Sequence, residues 1–205
     1  MFFNASDPNK TDEELVVLTL KDKENYRHLM VRYEKKLTRY IIRISGIKRD
    51  DAEDVLQESF IKAYQKINNF DFDYKFSSWM YRIAHNETFT YLRKKKARPK
   101  VIDSEFSSII LDSLKDDLNI EKEIDKKYLA KHLSEIMSGI SEKYRVVLTL
   151  KYLEDKDYQE ISDILKKPMG TVATLLKRAK EQLKKEIIKN QSAFRSYGQR
   201  IGKNF

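Results

Sequence analysis

The sequence predicts an all-α chain: two small helical domains joined by a flexible acidic linker. Five glycines and three prolines in 205 residues supply little turn chemistry for strands, while the abundant Lys, Glu, Leu and Ile are all at home in helices. Apolar residues recur at steps of three and four along most of the chain. Charge comes in blocks, with seven basic residues and one acidic from Arg82 to Lys100 and eight basic and two acidic from Lys166 to Lys189. Between them, Asp103 to Lys126 holds eight acidic residues and three basic, interspersed with Ser104, Ser107, Ser108 and Ser113, the composition of a linker. The expected organisation is a first domain over 1–100, a linker over 101–123, a second domain over 124–189 and a polar tail over 190–205.

Thr11 and Glu14 form a capping-box pattern ahead of Leu15, Val16, Leu18 and Leu20, which starts a short first helix. Tyr26, Leu29, Met30, Tyr33, Leu37, Tyr40, Ile41 and Ile44 mark a longer one that stops at Gly46, a natural C-cap. Asp50 and Asp51 suit a helix amino terminus, and Ala52, Val55, Leu56, Phe60, Ala63 and Ile67 supply the apolar stripe of a third. The pattern breaks over Asn68 to Lys75. Helix resumes from Ser77 to Lys96 and ends before Pro99. After the linker, Ile124, Tyr128, Leu129, Leu133, Ile136 and Met137 predict a helix that stops at Gly139. Ser141 caps the next, which carries Tyr144, Val147, Leu148, Leu150 and Tyr152. Asp157 and Glu160 repeat the capping-box pattern before Ile161, Ile164 and Leu165, Pro168 ends that short helix, and Met169, Val172, Leu176, Ala179 and Leu183 mark a last helix that fades into the tail at Asn190.

Composition also narrows function. The absence of cysteine excludes disulfides and thiolate metal sites. No apolar run reaches the ~20 residues of a membrane span, and the amino terminus lacks a signal-peptide pattern, so the expectation is a cytoplasmic protein without membrane insertion. A net charge of +9 suits a polyanionic partner. Neither a metal, a cofactor, a small-molecule substrate nor a catalytic group is expected.

Three patterns carry the functional reading. From Tyr158 to Arg178, a helix of about eight residues, a tight break and a basic second helix have the spacing of a DNA-reading helix-turn-helix. Thr171, Ala173, Thr174 and Lys177 then face bases, with Lys167, Arg178 and Lys180 near phosphates. Next, Asp50, Asp54 and Glu58 repeat every fourth residue, so their carboxylates line one helix face while Val55, Leu56 and Phe60 turn into the core. Such an acidic row on a basic protein is either a merely solvated surface or a dock for a basic partner helix. Finally, Trp79, Arg82, Asn86, Phe89 and Arg93 share a stripe roughly 80° wide on a helical wheel. Rings that accept unstacked bases, among cations that follow phosphates, suit a single strand of opened DNA, although Trp79 taken alone is more often a core residue.

The string Tyr158-Gln159-Glu160-Ile161-Ser162, followed by Pro168-Met169-Gly170-Thr171-Val172 and Arg178-Ala179-Lys180, resembles region four of the extracytoplasmic-function sigma factors, where this element binds the minus-thirty-five promoter element. Lys166 stands where that family often has a turn glycine, and Leu175 where an arginine is frequent. Asp51 to Phe60 is similar to region two of the same family, and Lys75 to Asn86 resembles its promoter-melting motif. The resemblance implies a dissociable subunit of core RNA polymerase that docks on the β′ clamp through Asp50, Asp54, Gln57 and Glu58, with the β flap as a second polymerase contact. It implies promoter DNA as ligand. Asn69, Phe72 and Lys75 fall in the loop that captures a flipped base, Trp79, Arg82, Asn86 and Phe89 on the helix that reads the minus-ten strand, and Arg93, Lys94, Lys95 and Lys96 against duplex phosphates. An anti-sigma protein is the implied regulator. Two other readings compete: a helix-turn-helix regulator that never binds polymerase, and a nuclease in which Asp50, Asp54 and Glu58 hold magnesium.

Overall fold

The computed structural model describes residues 9–95 and 139–201; the predicted helix from Ile124 to Met137, the linker and Lys96 lie outside these. Seven α-helices make up the described chain: α1 (Asp12–Lys21), α2 (Tyr26–Ser45), α3 (Arg49–Lys66), α4 (Phe76–Lys95), α5 (Glu142–Tyr152), α6 (Tyr158–Leu165) and α7 (Met169–Ile201).

The first four form one bundle. At the start of α1 the Glu14 N–H donates to Thr11 Oγ1 at 3.1 Å, and the Thr11 N–H to Glu14 Oε2 at 2.7 Å, so two otherwise orphaned donors are satisfied reciprocally. The polar face of α1 is tied to α2 by Asp12, which pairs with Arg32 at 2.6 Å and accepts the Tyr33 hydroxyl. Leu29, Leu37, Tyr40, Ile41 and Ile44 of α2 are buried, as the three-and-four spacing predicts, each apolar side chain stabilising the bundle by about 1.5–3 kcal/mol. Gly46 ends α2 at φ 66°, its N–H donating to Ile42 O at 2.7 Å; a left-handed C-cap is where glycine is needed. The anticipated stripe of α3 is buried from Ala52 to Ala63, and the Tyr26 hydroxyl donates to Phe60 O at 2.8 Å, joining α2 to α3. A single 3₁₀ turn, Ile67–Asn69, then leads into the loop. That loop is folded on Asp71, whose side chain accepts from the Asp73 N–H at 3.0 Å and whose carbonyl accepts from the Tyr74 N–H at 3.1 Å.

In the second half, α5 packs against α7, and α6 and α7 form a compact pair. From Arg145 to Leu150, α5 is buried at six consecutive positions, a pattern that an amphipathic surface helix cannot give. The reason is that α5 lies between α7 and α2. A single apolar core therefore runs through both halves of the described chain. The last helix departs from expectation in length, continuing through Ile201 rather than ending near Asn190. With no proline between Met169 and Ile201 and with Lys, Gln and Ala frequent, nothing local stops the helix.

Candidate nucleic-acid interface

The acidic row on α3 is presented as its spacing requires. Asp50, Asp54, Gln57 and Glu58 are exposed, while Val55, Leu56, Ser59 and Phe60 point inward. Part of the surrounding charge is already neutralised: Glu58 lies 3.4 Å from Lys62, which also pairs with Glu87 of α4, and Glu53 pairs with Arg49 at 2.9 Å. Asp51 accepts the Tyr91 hydroxyl and the Lys95 ammonium at 3.2 Å, and these two contacts, the phenol first, hold its carboxyl below its ordinary range. Among the described residues no three Asp, Glu or His side chains cluster as a metal site.

On α4 the structure divides the predicted stripe. Trp79 is only 9% exposed, with its ring 5.4 Å from Phe70 and 5.6 Å from Phe76. It is a core residue, not a free platform for a base, because the loop folds Phe70 back over it. Asn86 and Arg93 are exposed and Arg82 and Phe89 half-buried, with Phe89 edge-on to His85 at 4.6 Å. Arg93 donates to Thr90 Oγ1 at 3.0 Å, Lys94 is exposed, and Lys95 leans over the Tyr91 ring at 5.0 Å on its way to Asp51. The loop rings that do face solvent are Phe72, 51% exposed and edge-on against Phe70 at 5.0 Å, and Tyr74, with Asn69 exposed beside them.

Residues of the first helix and just before it that are absent from the sequence reading shape this loop. Glu13 of α1 accepts the Phe76 N–H at 2.9 Å and so caps α4 from another helix. Val17 and Leu18 of α1, with Lys10, Glu13 and Glu14, wall an open hollow beside Phe72. A signal for Val17 was available: it is an exposed apolar residue in an unbroken apolar run that one buried face of α1 does not need.

The helix-turn-helix is built by α6 and α7. Asp157 caps α6, its side chain accepting the Glu160 N–H at 2.7 Å while the Asp157 N–H donates to Glu160 Oε2 at 3.2 Å. Burial pushes the Glu160 carboxyl up, but Lys156, the Asp157 N–H and Lys75 together outweigh it and leave it below its ordinary value. Lys166 takes the turn at φ 51°, a left-handed conformation that glycine adopts freely and lysine at a cost of about 1 kcal/mol. Its position is held by Ser162, whose carbonyl accepts the Lys166 and Lys167 N–H groups and whose hydroxyl donates to Lys167 O at 2.6 Å. Pro168 O then receives the Thr171 and Val172 N–H groups at 2.8 and 3.1 Å as α7 begins. Thr171, Ala173, Thr174, Lys177 and Arg178 are exposed along one side of α7, as is Lys167 in the turn; Lys180 is half-buried, and Val172, Leu176, Ala179 and Leu183 enter the core. Thr174 donates to Gly170 O at 2.9 Å, leaving its hydroxyl oxygen free to accept. A Cβ on Gly170 would meet no heavy atom within 4 Å, so packing does not demand glycine there.

The two basic surfaces are neighbours. His85, Asn86, Phe89 and Arg93 form one wall of a cleft of about 390 Å³, and Val146, Leu165, Lys167 and Leu175 belong to the other. His85 Nδ1 lies 3.2 Å from the Tyr40 hydroxyl, and burial, aided by the charge of Lys167, pushes its pKa down to about 4. Lys75, expected at the DNA strand, instead lies 3.5 Å from Glu160 and 3.7 Å from Asp157. Lys166 sits over the Tyr74 ring at 4.9 Å.

Comparison with known proteins agrees with this anatomy. Residues 29–98 match the Sigma-70 region 2 model and residues 132–183 a Sigma-70 region 4 model. The structure of CnrH in complex with the cytosolic domain of CnrY covers 85% of this chain and 95% of its own at 18% identity and a TM-score of 0.62. For the sigma factor RpoE from Bartonella quintana, in complex with the anti-sigma factor NepR, the values are 80%, 97%, 18% and 0.57. Both share the fold. The ECF RNA polymerase sigma-E factor of Escherichia coli K12 is 32% identical over 86% of this chain and 94% of its own length. The ECF RNA polymerase sigma factor SigW of Bacillus subtilis is 35% identical over 81% of this chain and 90% of its own. By sequence, by fold and by the order of its two regions, this chain belongs to the extracytoplasmic-function sigma factors of RNA polymerase.

Proposed function

We propose that this sigma factor directs core RNA polymerase to its promoters by dividing the work between its halves. Asp50, Asp54, Gln57 and Glu58 of α3 dock on a basic helix of the β′ clamp, and the second half meets the β flap. The loop with Asn69 and Phe72 takes a flipped base of the minus-ten element, helped by Arg82, Asn86 and Phe89 on α4, while Arg93, Lys94 and Lys95 follow the adjoining duplex. Thr171, Ala173, Thr174 and Lys177 read the minus-thirty-five element, with Lys167, Arg178 and Lys180 on its phosphates. Trp79 has no part in stacking on this reading; it supports the loop from beneath. Bond formation belongs to the polymerase, and the work takes place in the cytoplasm. Among the described residues no helix is long and apolar enough to cross a membrane. An anti-sigma protein fits as regulator, since RpoE from Bartonella quintana is seen with one.

The observation that carries this reading is the exposed, four-residue-spaced carboxylate row of α3 on a chain of net charge +9. Charge complementarity of that kind steers and orients a partner. The test is reconstitution with core polymerase: the wild-type chain initiates from specific promoters, and Asp54→Lys with Glu58→Lys loses core binding at least tenfold while duplex binding by α7 persists. Undiminished core binding by that double variant would leave only a helix-turn-helix regulator.

A further inference from the structure

The reading face of α7 is short of the groups that tell bases apart by hydrogen bonds. From Met169 to Lys177 the sequence is Met-Gly-Thr-Val-Ala-Thr-Leu-Leu-Lys, with no Arg, Asn, Gln, Asp or Glu. Those absent residue types supply most of the bidentate and acceptor contacts by which a major-groove helix distinguishes guanine, adenine and cytosine. Val172 and Leu176 are in the core and Leu175 is half-buried. What remains exposed is Met169, Gly170, Thr171, Ala173, Thr174 and Lys177. Thr174 has already given its proton to Gly170 O at 2.9 Å, so toward a base it offers a methyl group and an acceptor oxygen.

Met169 is the large side chain on this face that the fold does not use. It is 51% exposed in the first turn of α7 and belongs to no part of the apolar core. Beside it Gly170 presents bare backbone with open space around it. Met169, Ala173 and Lys177 follow at four-residue steps and so form one ridge. At 1.5 Å per residue that ridge is about 12 Å long, roughly the span of three to four base pairs. Along it stand a thioether methyl, a Cβ methyl and, at the far end, an ammonium, with the Thr174 methyl alongside. In the major groove the feature that matches an apolar side chain is the 5-methyl group of thymine, and the feature that matches a lone ammonium is the O6 and N7 pair of guanine.

We propose that α7 recognises its upstream element chiefly through thymine methyl groups, with Met169 as a specificity-determining residue beside Ala173 and Thr174, and with a single guanine opposite Lys177. The proposal rests on the assignment of α7 to the minus-thirty-five duplex and names what the helix recognises there. A methyl group moved out of water against an apolar side chain favours binding by about fourfold. Two or three such contacts together give a preference of at least about tenfold, without any bidentate hydrogen bond. The unbranched thioether suits this task, because it adapts its shape to the methyl groups it meets.

The experiment uses the full chain reconstituted with core polymerase, which selects binders from a library of randomised duplexes. The enriched duplexes should share an upstream block with thymines at two or more positions, on either strand, and a guanine at one end. Resynthesis of one of them with deoxyuridine for thymine in that block removes only the methyl groups and should weaken binding on the order of tenfold. In Met169→Ala that loss should become roughly fourfold smaller, with thermal unfolding unchanged, whereas Met169→Leu, which keeps a large apolar side chain, should retain it in full. An enriched block without thymine, or a loss below about twofold on methyl removal, overturns the proposal. A loss equally large in Met169→Ala belongs to the shape of the duplex or to the other side chains and overturns the role of Met169. If core polymerase is bound but no upstream block is enriched, the assignment of α7 itself falls and the proposal with it; an enriched block indifferent to methyl groups leaves that assignment standing and sinks the proposal alone.

Discussion

The two basic helices, α4 and α7, differ in how much of their outward-facing chemistry is exposed. Along α7 the residues facing away from the core, Thr171, Ala173, Thr174, Lys177 and Arg178, are all open to solvent. Along α4, Trp79 is sealed under Phe70, Arg82 and Phe89 are half-buried, and Lys95 is engaged with Asp51. A duplex reader is ready as folded, because a major groove is wide enough to receive a helix without rearrangement. A surface for separated bases has to be kept covered or shaped, since exposed rings are an aggregation hazard and an invitation to the wrong ligand. On the proposed roles, the surface offered to duplex stands open on α7, whereas the surface offered to separated strands is in large part packed on α4.

That contrast breaks first at the rings. Trp79→Ala is expected to destabilise the first half by about 3–5 kcal/mol, the cost of a large core cavity, measured by chemical denaturation. Phe72→Ala should change stability by less than about 0.5 kcal/mol yet impair promoter opening, with rescue on a premelted template. Equal stability losses for the two would erase the distinction between support and contact.

Acid tests the cleft between the helices. His85, beside the Tyr40 hydroxyl and facing Lys167, has its pKa depressed to about 4 from 6.5. Below pH 6.5 the unfolded chain takes up a proton that the folded chain refuses, so stability is full above that pH and falls as pH drops toward 4, by on the order of 2 kcal/mol. Asp157 and Glu160, both held below their ordinary range, add their loss as pH falls through the ordinary carboxylate range and below it. His85→Gln should flatten the upper part of the curve, read as denaturation midpoints from pH 7 to 4.

On the α7 side, Lys166→Gly should relieve the left-handed turn and stabilise the second half by about 0.5–1 kcal/mol, less whatever the contact over Tyr74 contributes. Smallest in energy but sharpest in kind are the DNA contacts. Lys177→Ala should change upstream sequence preference, whereas Lys94→Ala should weaken all promoters alike and lower the salt slope by about 1. Uniform weakening by Lys177→Ala would remove it from base readout.

Much of this architecture can be read without coordinates because it is local. The Thr11–Glu14 and Asp157–Glu160 boxes announce helix starts within four residues, and Leu37, Tyr40, Ile41 and Ile44 display a buried stripe on their own helix. What escapes is set by distant chain. Trp79 has the wheel position of a DNA-facing residue and is claimed by Phe70 from a loop. Arg145 to Leu150 look like surplus hydrophobicity until α2 is known to cover their second side. The Phe76 cap comes from Glu13, and the Lys75 ammonium from a predicted DNA contact goes to Glu160. Periodicity reports one helix's own face, and these residues answer to a neighbour's.

The tie among Asp51, Tyr91 and Lys95 joins the amino end of α3 to the carboxy end of α4. When a phosphate claims the Lys95 ammonium, Asp51 loses its counterion and its charge joins those of Asp50 and Asp54. On the proposed roles of the two helices, engagement of nucleic acid at one helix end would sharpen the negative field at the other, and thermodynamic reciprocity would require the converse: a basic subunit surface resting on α3 would loosen Lys95 for the phosphates. Holoenzyme assembly and template grip would then reinforce one another through a single shared cation.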